Sequence, residues 1–99
     1  MRRETLRAVD EVQADNEGVR VTKYVFAPGA ATGWHRHAHD YVIVPLTTGK
    51  LKLTNGAGES AVAELTAGQS YFRKAGVEHD VTNPNPTEFV FIEIELKRG

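Results

Sequence analysis

Apolar and polar residues alternate with a period of two through most of the chain, which is the spacing of side chains on one face of a β-strand. Glycines separate the predicted strands, which are 19–27, 40–46, 50–55, 60–65, 69–75 and 88–97. The segment 40–46 is nearly all apolar, so we expect both of its faces to be buried. The NGAG at 55–58 is typical of a hairpin turn, because Asn and Gly tolerate positive φ. Residues 3–13 are the one segment for which we predict a short helix. The pattern as a whole predicts a single all-β domain of antiparallel strands over residues 1–99.

The last predicted strand has two different apolar faces. One face carries Val90, Ile92, Ile94 and Leu96, and the other carries Phe89, Phe91, Glu93 and Glu95. We expect the first face to point inward, so that both glutamates are exposed to water. In the opposite orientation Glu93 would lie inside the domain, where it would serve as a base or as a hydrogen-bond acceptor.

Composition excludes several classes of protein. Twelve basic and thirteen acidic residues give a formal net charge of -1, which provides no electrostatic footprint for nucleic acid or for an acidic membrane surface. The chain has no cysteine, so disulfides, thiolate ligands and a cysteine nucleophile are excluded. Two arginines near the start are not followed by an apolar segment, so we expect no signal peptide and a cytoplasmic location.

Histidines provide the candidate chemistry. His35, His37 and His39 occupy alternate positions, so His35 and His37 face the same side of a strand. Neutral imidazole is the commonest protein ligand of transition metals. His79 is far away in sequence, and with the first two it would make a facial set that leaves positions open for water or substrate. The alternative is that all four are surface or loop residues.

Both histidine segments resemble motifs of the cupin superfamily, G(x)5HxH(x)3–4E(x)6G followed by G(x)5PxG(x)2H(x)3N. The first motif is matched by Gly29, His35, His37 and Gly49. The second is matched by Gly68, Gly76, His79 and Asn83, with Lys74 in place of proline. The resemblance implies a small single-domain cupin: one antiparallel, jelly-roll-like β-barrel of the RmlC-like type, with its motif core at 29–83.

The resemblance also implies that His35, His37 and His79 are metal ligands. It does not supply the motif glutamate, because that position falls on Tyr41 with three spacer residues or on Val42 with four. His39 would replace the glutamate, hydrogen-bond to a ligand, or lie at the mouth of the site. Asp40 would orient a ligand imidazole or lie in a solvated turn. Tyr41 would point inward near the metal or serve as a core aromatic.

A site of three histidines leaves a divalent ion with its full positive charge, which attracts anionic substrates and lowers the pKa of bound water. Among cupins such sites resemble those of iron-dependent dioxygenases, although Fe, Zn, Ni or Mn all suit imidazole. The two segments further resemble small cupins associated with β-alanine degradation, which implies a small carboxylate-bearing ligand. Arg36, Arg73 and Lys74 are surface charges or, for the last two, candidates to hold that carboxylate.

These features predict a metal-binding cupin, either a metalloenzyme acting on a small organic acid or a non-catalytic ligand binder or sensor. A third hypothesis is a structural cupin with a vestigial site, but the presence of all three histidines argues against it. We also predict a homodimer, in which Tyr24, Phe26, Phe89 and Phe91 cover each other across a subunit boundary. The alternative for those aromatics is that they fill the interior of the monomer.

Overall fold

The computed structural model describes residues 6–97, which form nine strands and no helix. The strands are β1 (Val9–Asp15), β2 (Val19–Phe26), β3 (His35–Arg36), β4 (Asp40–Pro45), β5 (Gly49–Thr54), β6 (Ser60–Leu65), β7 (Tyr71–Arg73), β8 (Glu78–Thr82) and β9 (Phe89–Leu96). The all-β prediction is confirmed. In the described residues there is no helix long and apolar enough to cross a membrane.

The helix predicted over 3–13 is wrong where the structure describes it, and residues 3–5 lie outside the described part. Strand β1 pairs antiparallel with β2, for example through Val9 and Val25. The edge of β2 provides backbone hydrogen-bond partners for this segment. Pairing with β2 therefore outweighs a weak local preference for helix.

Two antiparallel sheets face each other. The larger has the strand order β1-β2-β9-β4-β7 and the smaller the order β3-β8-β5-β6. Between them lies a core to which both sheets contribute, including Phe26, Ile43, Phe91, Leu51 and Val81. This arrangement buries one face of each sheet, while the sheets do not close into a continuous barrel.

The five-stranded sheet turns its aromatic face inward. On β9, Phe89, Phe91 and Glu93 are buried, while Val90 and Ile92 are partly exposed on the opposite side. The expectation that the valine and isoleucine face of β9 points inward is therefore wrong. Both faces are apolar, so hydrophobicity does not decide between them, and the large aromatic rings are needed to fill the space between the sheets.

The aromatics expected at a subunit boundary also lie inside the monomer. Phe26, Phe89 and Phe91 are all buried, and Tyr24 packs against this cluster with its ring 5.2 Å from that of Phe91. Their assignment to an interface is wrong, because they form the monomer's own core. The homodimer itself remains a prediction.

Asn83 joins the beginning of the first motif to the end of the second. Its backbone N–H donates to Ala30 O, and its C=O accepts from Gly29 N–H, both at 2.9 Å. Its buried side-chain amide donates to the carbonyls of Phe26 and Thr87 at 3.1 and 2.9 Å. Except for the bond to Thr87, these bonds hold together segments that are more than 50 residues apart in sequence.

Replacing Asn83 by aspartate should destabilise the fold. The variant keeps the shape and the acceptor, but it cannot donate to two backbone carbonyls that the wild-type amide satisfies. We expect a loss of about 2 kcal/mol or more in the free energy of unfolding, measured by urea denaturation. A variant at Asn55, in the exposed hairpin turn, serves as the control; equal losses for Asn83→Asp and Asn55→Asp would contradict the role given to Asn83.

Candidate metal centre

Backbone pairing brings three histidines to one place. His35 lies directly opposite His79 in the antiparallel pair of β3 and β8. Just beyond β3, the N–H of His37 donates to Val77 O and its C=O accepts from Gly76 N–H, at 2.9 and 2.8 Å. Gly76 has a φ of 101°, a backbone conformation that a residue with a Cβ rarely adopts. The turn at Gly76 therefore places His37 beside the other two rings.

The three rings converge through their Nε2 atoms. His37 Nε2 lies 3.0 Å from His35 Nε2 and 3.1 Å from His79 Nε2. Within residues 6–97, these are the side chains that gather as a potential metal-binding group of three. Their rings meet edge to face, with interplanar angles of 71–87°, so the ligand atoms approach from separate directions.

Hydrogen bonding fixes the tautomer of His35. Its Nδ1 lies 2.9 Å from the carbonyl oxygen of Gly33, and since that oxygen only accepts, Nδ1 carries the proton. The neutral ring then presents a lone pair at Nε2. On His37, Nδ1 faces the carboxyl group of Glu93 at 3.9 Å, which is too long for a direct hydrogen bond.

Burial keeps two of the imidazoles neutral. It lowers the pKa of His37 to about 4, and the neighbouring His35 and His79 lower that pKa further. Burial, then the charge of His35, likewise lowers the pKa of His79 to about 4. At neutral pH both rings therefore have an unprotonated nitrogen available, which is the form that binds a metal.

The donor set fits a divalent transition ion. Nitrogens held about 2.1 Å from one ion at right angles lie about 3.0 Å apart, whereas tetrahedral angles separate them by about 3.4 Å. The distances of 3.0 and 3.1 Å from His37 Nε2 to the other two Nε2 atoms match the right-angle spacing, so His35, His37 and His79 would hold such an ion and would leave further coordination positions open. Lone pairs on two neutral imidazoles repel each other at this distance, and a cation between them removes the repulsion.

The motif glutamate would fall on Tyr41 or Val42. Tyr41 points inward from β4, and Val42 points to the other side of the sheet. Its ring stacks on that of His37, with 3.9 Å between centroids and an 18° angle. Burial, then the charge of Glu93, raises the pKa of Tyr41 to about 12, so its phenol stays protonated. Tyr41 therefore packs against the His37 ring without adding an anionic oxygen to the site.

His39 and Asp40 are placed differently from the three histidines. His39 is partly exposed and is not a member of the three-histidine group. The carboxylate of Asp40 accepts a hydrogen bond of 2.8 Å from Ala75 N–H, so it ties β4 to the turn before Gly76 and does not contact a ligand imidazole there. Asp40 thus supports the turn that positions His37.

Glu93 is the site carboxylate that sequence reasoning placed on the wrong side. It is 6% exposed and lines a cavity of about 140 Å³ together with the three histidines. Burial, then the charge of Glu95, raises the pKa of Glu93 to about 7. The signal that would have located it is its alternation with Phe89 and Phe91, since large aromatics fill sheet interiors more often than they face water.

Arg73 lies at the mouth of this cavity. It is exposed, lines the cavity together with Tyr71 and Tyr41, and its guanidinium carbon is 5.1 Å from the centre of the Tyr71 ring. Stacking on an aromatic ring is a geometry that suits guanidinium. Arg36 is exposed beside His35, and Lys74 is also exposed. Of the three cations, Arg73 is the one that reaches the cavity.

Two antiparallel sheets around a partly buried three-histidine site define a double-stranded β-helix protein with a potential metal centre. The sequence model of the cupin domain matches residues 22–95. The chain therefore belongs to the cupin family, which confirms the resemblance and its jelly-roll fold.

Three relatives illustrate the similarity. The curated Beta-alanine degradation protein BauB of Pseudomonas aeruginosa is 58% identical over 91 residues, covering 92% of this chain and 95% of the relative. The crystal structure of a cupin domain from Bordetella pertussis is 55% identical, covers 96% of this chain and 98% of that chain, and has a TM-score of 0.92. A Klebsiella pneumoniae protein with a double-stranded β-helix domain is 23% identical, with coverages of 97% and 82% and a TM-score of 0.76, which shows the fold alone.

Glu93→Gln should make the metal-free protein more stable at neutral pH. The folded carboxyl keeps its proton up to about pH 7, whereas the unfolded one releases it near 4.5. The folded state therefore binds more protons between these values, and its stability falls as pH rises through them. The variant removes this loss, so its advantage should be absent below pH 4.5, grow up to pH 7 and then level off at about 3 kcal/mol.

The measurement is urea unfolding with a chelator present, at several pH values from 4 to 8. Glu88→Gln, at an exposed position just before β9, is the matched control. An advantage of Glu93→Gln that does not change with pH would show that Glu93 is not a buried carboxyl with a raised pKa.

Proposed function

We propose that this chain is a metal-binding cupin that uses His35, His37 and His79 to hold one divalent ion and acts on a small organic acid. The observation that carries the proposal is the convergence of three Nε2 atoms: that of His37 lies 3.0 Å from that of His35 and 3.1 Å from that of His79, close to the spacing of adjacent ligands of one ion. The Nδ1–H tautomer of His35 leaves a lone pair on its Nε2, which faces Nε2 of His37, and a shared cation would stabilise this arrangement. Fe, Zn, Ni or Mn suit this donor set.

The chain's own residues have separate tasks in this proposal. The Gly33 carbonyl orients His35, Glu93 faces Nδ1 of His37, and Tyr41 stacks on the His37 ring. The apolar walls of the cavity, among them Leu51 and Val81, limit access of water. When bound, a divalent ion supplies Lewis acidity and open coordination positions. Glu93 is placed to accept or return a proton at its carboxylate oxygen within the same cavity.

A small carboxylate is the ligand class we propose. A cavity of about 140 Å³ admits a molecule of only a few heavy atoms, and three neutral ligands leave the ion's charge uncompensated, which favours an anion. Arg73 at the mouth adds a second positive group suited to a carboxylate. The name of the Pseudomonas aeruginosa relative, which associates that protein with β-alanine degradation, agrees with this ligand class.

The reaction we favour is dioxygenase-like or otherwise metal-assisted, because open positions beside a buried carboxyl and a phenol suit catalysis. The second candidate is a non-catalytic ligand-binding or sensing cupin, which the absence of a motif carboxylate at Tyr41 and Val42 favours. Oxygen consumption by the iron-loaded protein with small carboxylates separates the two. We further propose a cytoplasmic location and no nucleic-acid or membrane partner, in line with the net charge of -1.

His79→Ala should abolish metal retention, because two imidazoles alone compete poorly with water for a divalent ion. His39→Ala is the matched control and should retain metal as the wild type does, because His39 lies outside the cluster. We expect the affinity of His79→Ala to fall by more than about 100-fold, beyond the 10- to 100-fold typical of losing an outer hydrogen-bond partner. Elemental analysis of untagged protein after gel filtration gives the metal content, and circular dichroism checks the fold. Loss of metal from His39→Ala with retention in His79→Ala would overturn the ligand set.

Arg73→Gln should weaken binding of a small carboxylate to the metal-loaded protein. Arg73 lines the cavity, whereas Lys74 is exposed and does not, so Lys74→Gln is the matched control of equal charge change. We expect about a tenfold loss of affinity for β-alanine or propionate in the first variant, which is the value of one partly exposed charged contact. Titration calorimetry measures it. Similar affinities for the two variants would exclude a carboxylate role for Arg73.

A further inference from the structure

The segment just before β3 is bonded to strand β8, which carries His79. The backbone N–H of Thr32 donates to Val81 O at 2.9 Å, and the N–H of Val81 donates to the hydroxyl oxygen of Thr32 at 3.2 Å. The N–H of Gly33 donates to Asp80 Oδ1 at 3.1 Å. Two consecutive residues before β3 are therefore held by the two residues that directly follow a candidate metal ligand.

The hydroxyl of Thr32 also contacts the ring of His35. Its oxygen lies 3.2 Å from His35 Nδ1 and 2.9 Å from Gly33 O. Since Gly33 O requires the proton on Nδ1, this N–H is shared between the carbonyl and the hydroxyl oxygen. The hydroxyl then donates its own proton to Gly33 O and accepts from His35 Nδ1–H and Val81 N–H. Its one donor and both of its lone pairs are thus used.

The backbone of Thr32 and Gly33 is fixed as well. The C=O of Thr32 accepts from Arg7 Nη2 at 3.0 Å, so every backbone donor and acceptor of these two residues has a partner. Gly33 has a φ of 84°, which a residue with a Cβ rarely adopts, and its carbonyl faces the ring of His35. The hydroxyl of Thr32 therefore extends from a segment with a defined conformation.

We propose that Thr32 is a positioning residue of the metal centre, whose hydroxyl holds the ring of His35 in place relative to β8. The inference rests on the proposed metal function of the three histidines. The ring centroids of His35 and His79 are 4.6 Å apart, and the hydroxyl is bonded both to the first ring and to the strand that carries the second. Ligand atoms that are already in place bind an ion more tightly, because no ordering cost is subtracted from the affinity.

Thr32→Val should lower the affinity for Zn²⁺, because valine has the shape of threonine but lacks the hydroxyl. The His35 ring then keeps only the Gly33 carbonyl as acceptor. We expect a loss of about tenfold, the low end of the 10- to 100-fold range for an outer hydrogen-bond partner, since one acceptor remains. Thr32→Ser keeps the hydroxyl and should bind Zn²⁺ within about twofold of the wild type. Competition with a chromophoric chelator measures both affinities.

Thr48→Val is the matched control. The Thr48 hydroxyl accepts from the N–H of Ala67 at 3.0 Å, and Thr48 is exposed and does not line the cavity. Both valine variants leave one backbone N–H without its acceptor, but only Thr32→Val should change the affinity for Zn²⁺. Urea unfolding checks that each variant is folded. Unchanged affinity in folded Thr32→Val would reduce Thr32 to a structural role and overturn the proposal.

A second measurement uses the metal-free protein. Nitrogen NMR at about pH 8 should show His35 as the Nδ1–H tautomer in the wild type, and ring relaxation should show a more mobile His35 ring in Thr32→Val than in Thr32→Ser. Thr32→Ala removes the same hydroxyl and replaces Thr32→Val in both measurements if the latter does not fold. A proton on His35 Nε2, or equal ring mobility with and without the hydroxyl, overturns the role of Thr32. A wild type with this ordered ring that binds no Zn²⁺ overturns the proposed function instead.

Discussion

Pairing of β3 with β8 is the constraint on which the site depends. It sets His35 opposite His79, and the hydrogen bonds of His37 to the segment at Val77 extend the same ladder by one residue. His37 and His79 are 42 positions apart in sequence, so this short pairing needs support from elsewhere. Asn83 provides it by tying the ends of the two motif segments together through backbone and side-chain bonds.

This arrangement places the polar groups of the site inside the hydrophobic core. Three imidazoles, the Glu93 carboxyl and the Tyr41 phenol share one small cavity with apolar walls. Burial lowers the pKa values of His37 and His79 and raises those of Glu93 and Tyr41, so every one of these shifts favours the neutral form. Burial thus favours the neutral forms of these four groups, which lowers the cost of removing them from water.

The two faces of β9 link the site to the surface of the molecule. Turning Phe89, Phe91 and Glu93 inward fills the core and completes the cavity. The same orientation leaves Ile92 and Ile94 partly exposed on the side of the sheet that faces away from the core, beside Lys23 and Val21 of β2. The orientation of β9 that places the Glu93 carboxyl beside the histidines therefore also turns these isoleucines away from the core.

Sequence by itself determined the fold class and the histidine candidates. Period-two alternation requires strands, and the spacing of the two motifs around His35, His37 and His79 gives the cupin resemblance, because both signals are local. Tertiary structure alone decided which face of β9 is buried, that Tyr41 rather than Val42 points inward, and that residues from Val9 onward add a strand to β2. The reason is physical. Strand β9 is apolar on both faces, the spacer after His37 fits the motif with three or four residues, and the segment before β2 prefers helix only weakly. Each therefore has two local conformations of similar free energy. Only packing against distant partners separates them.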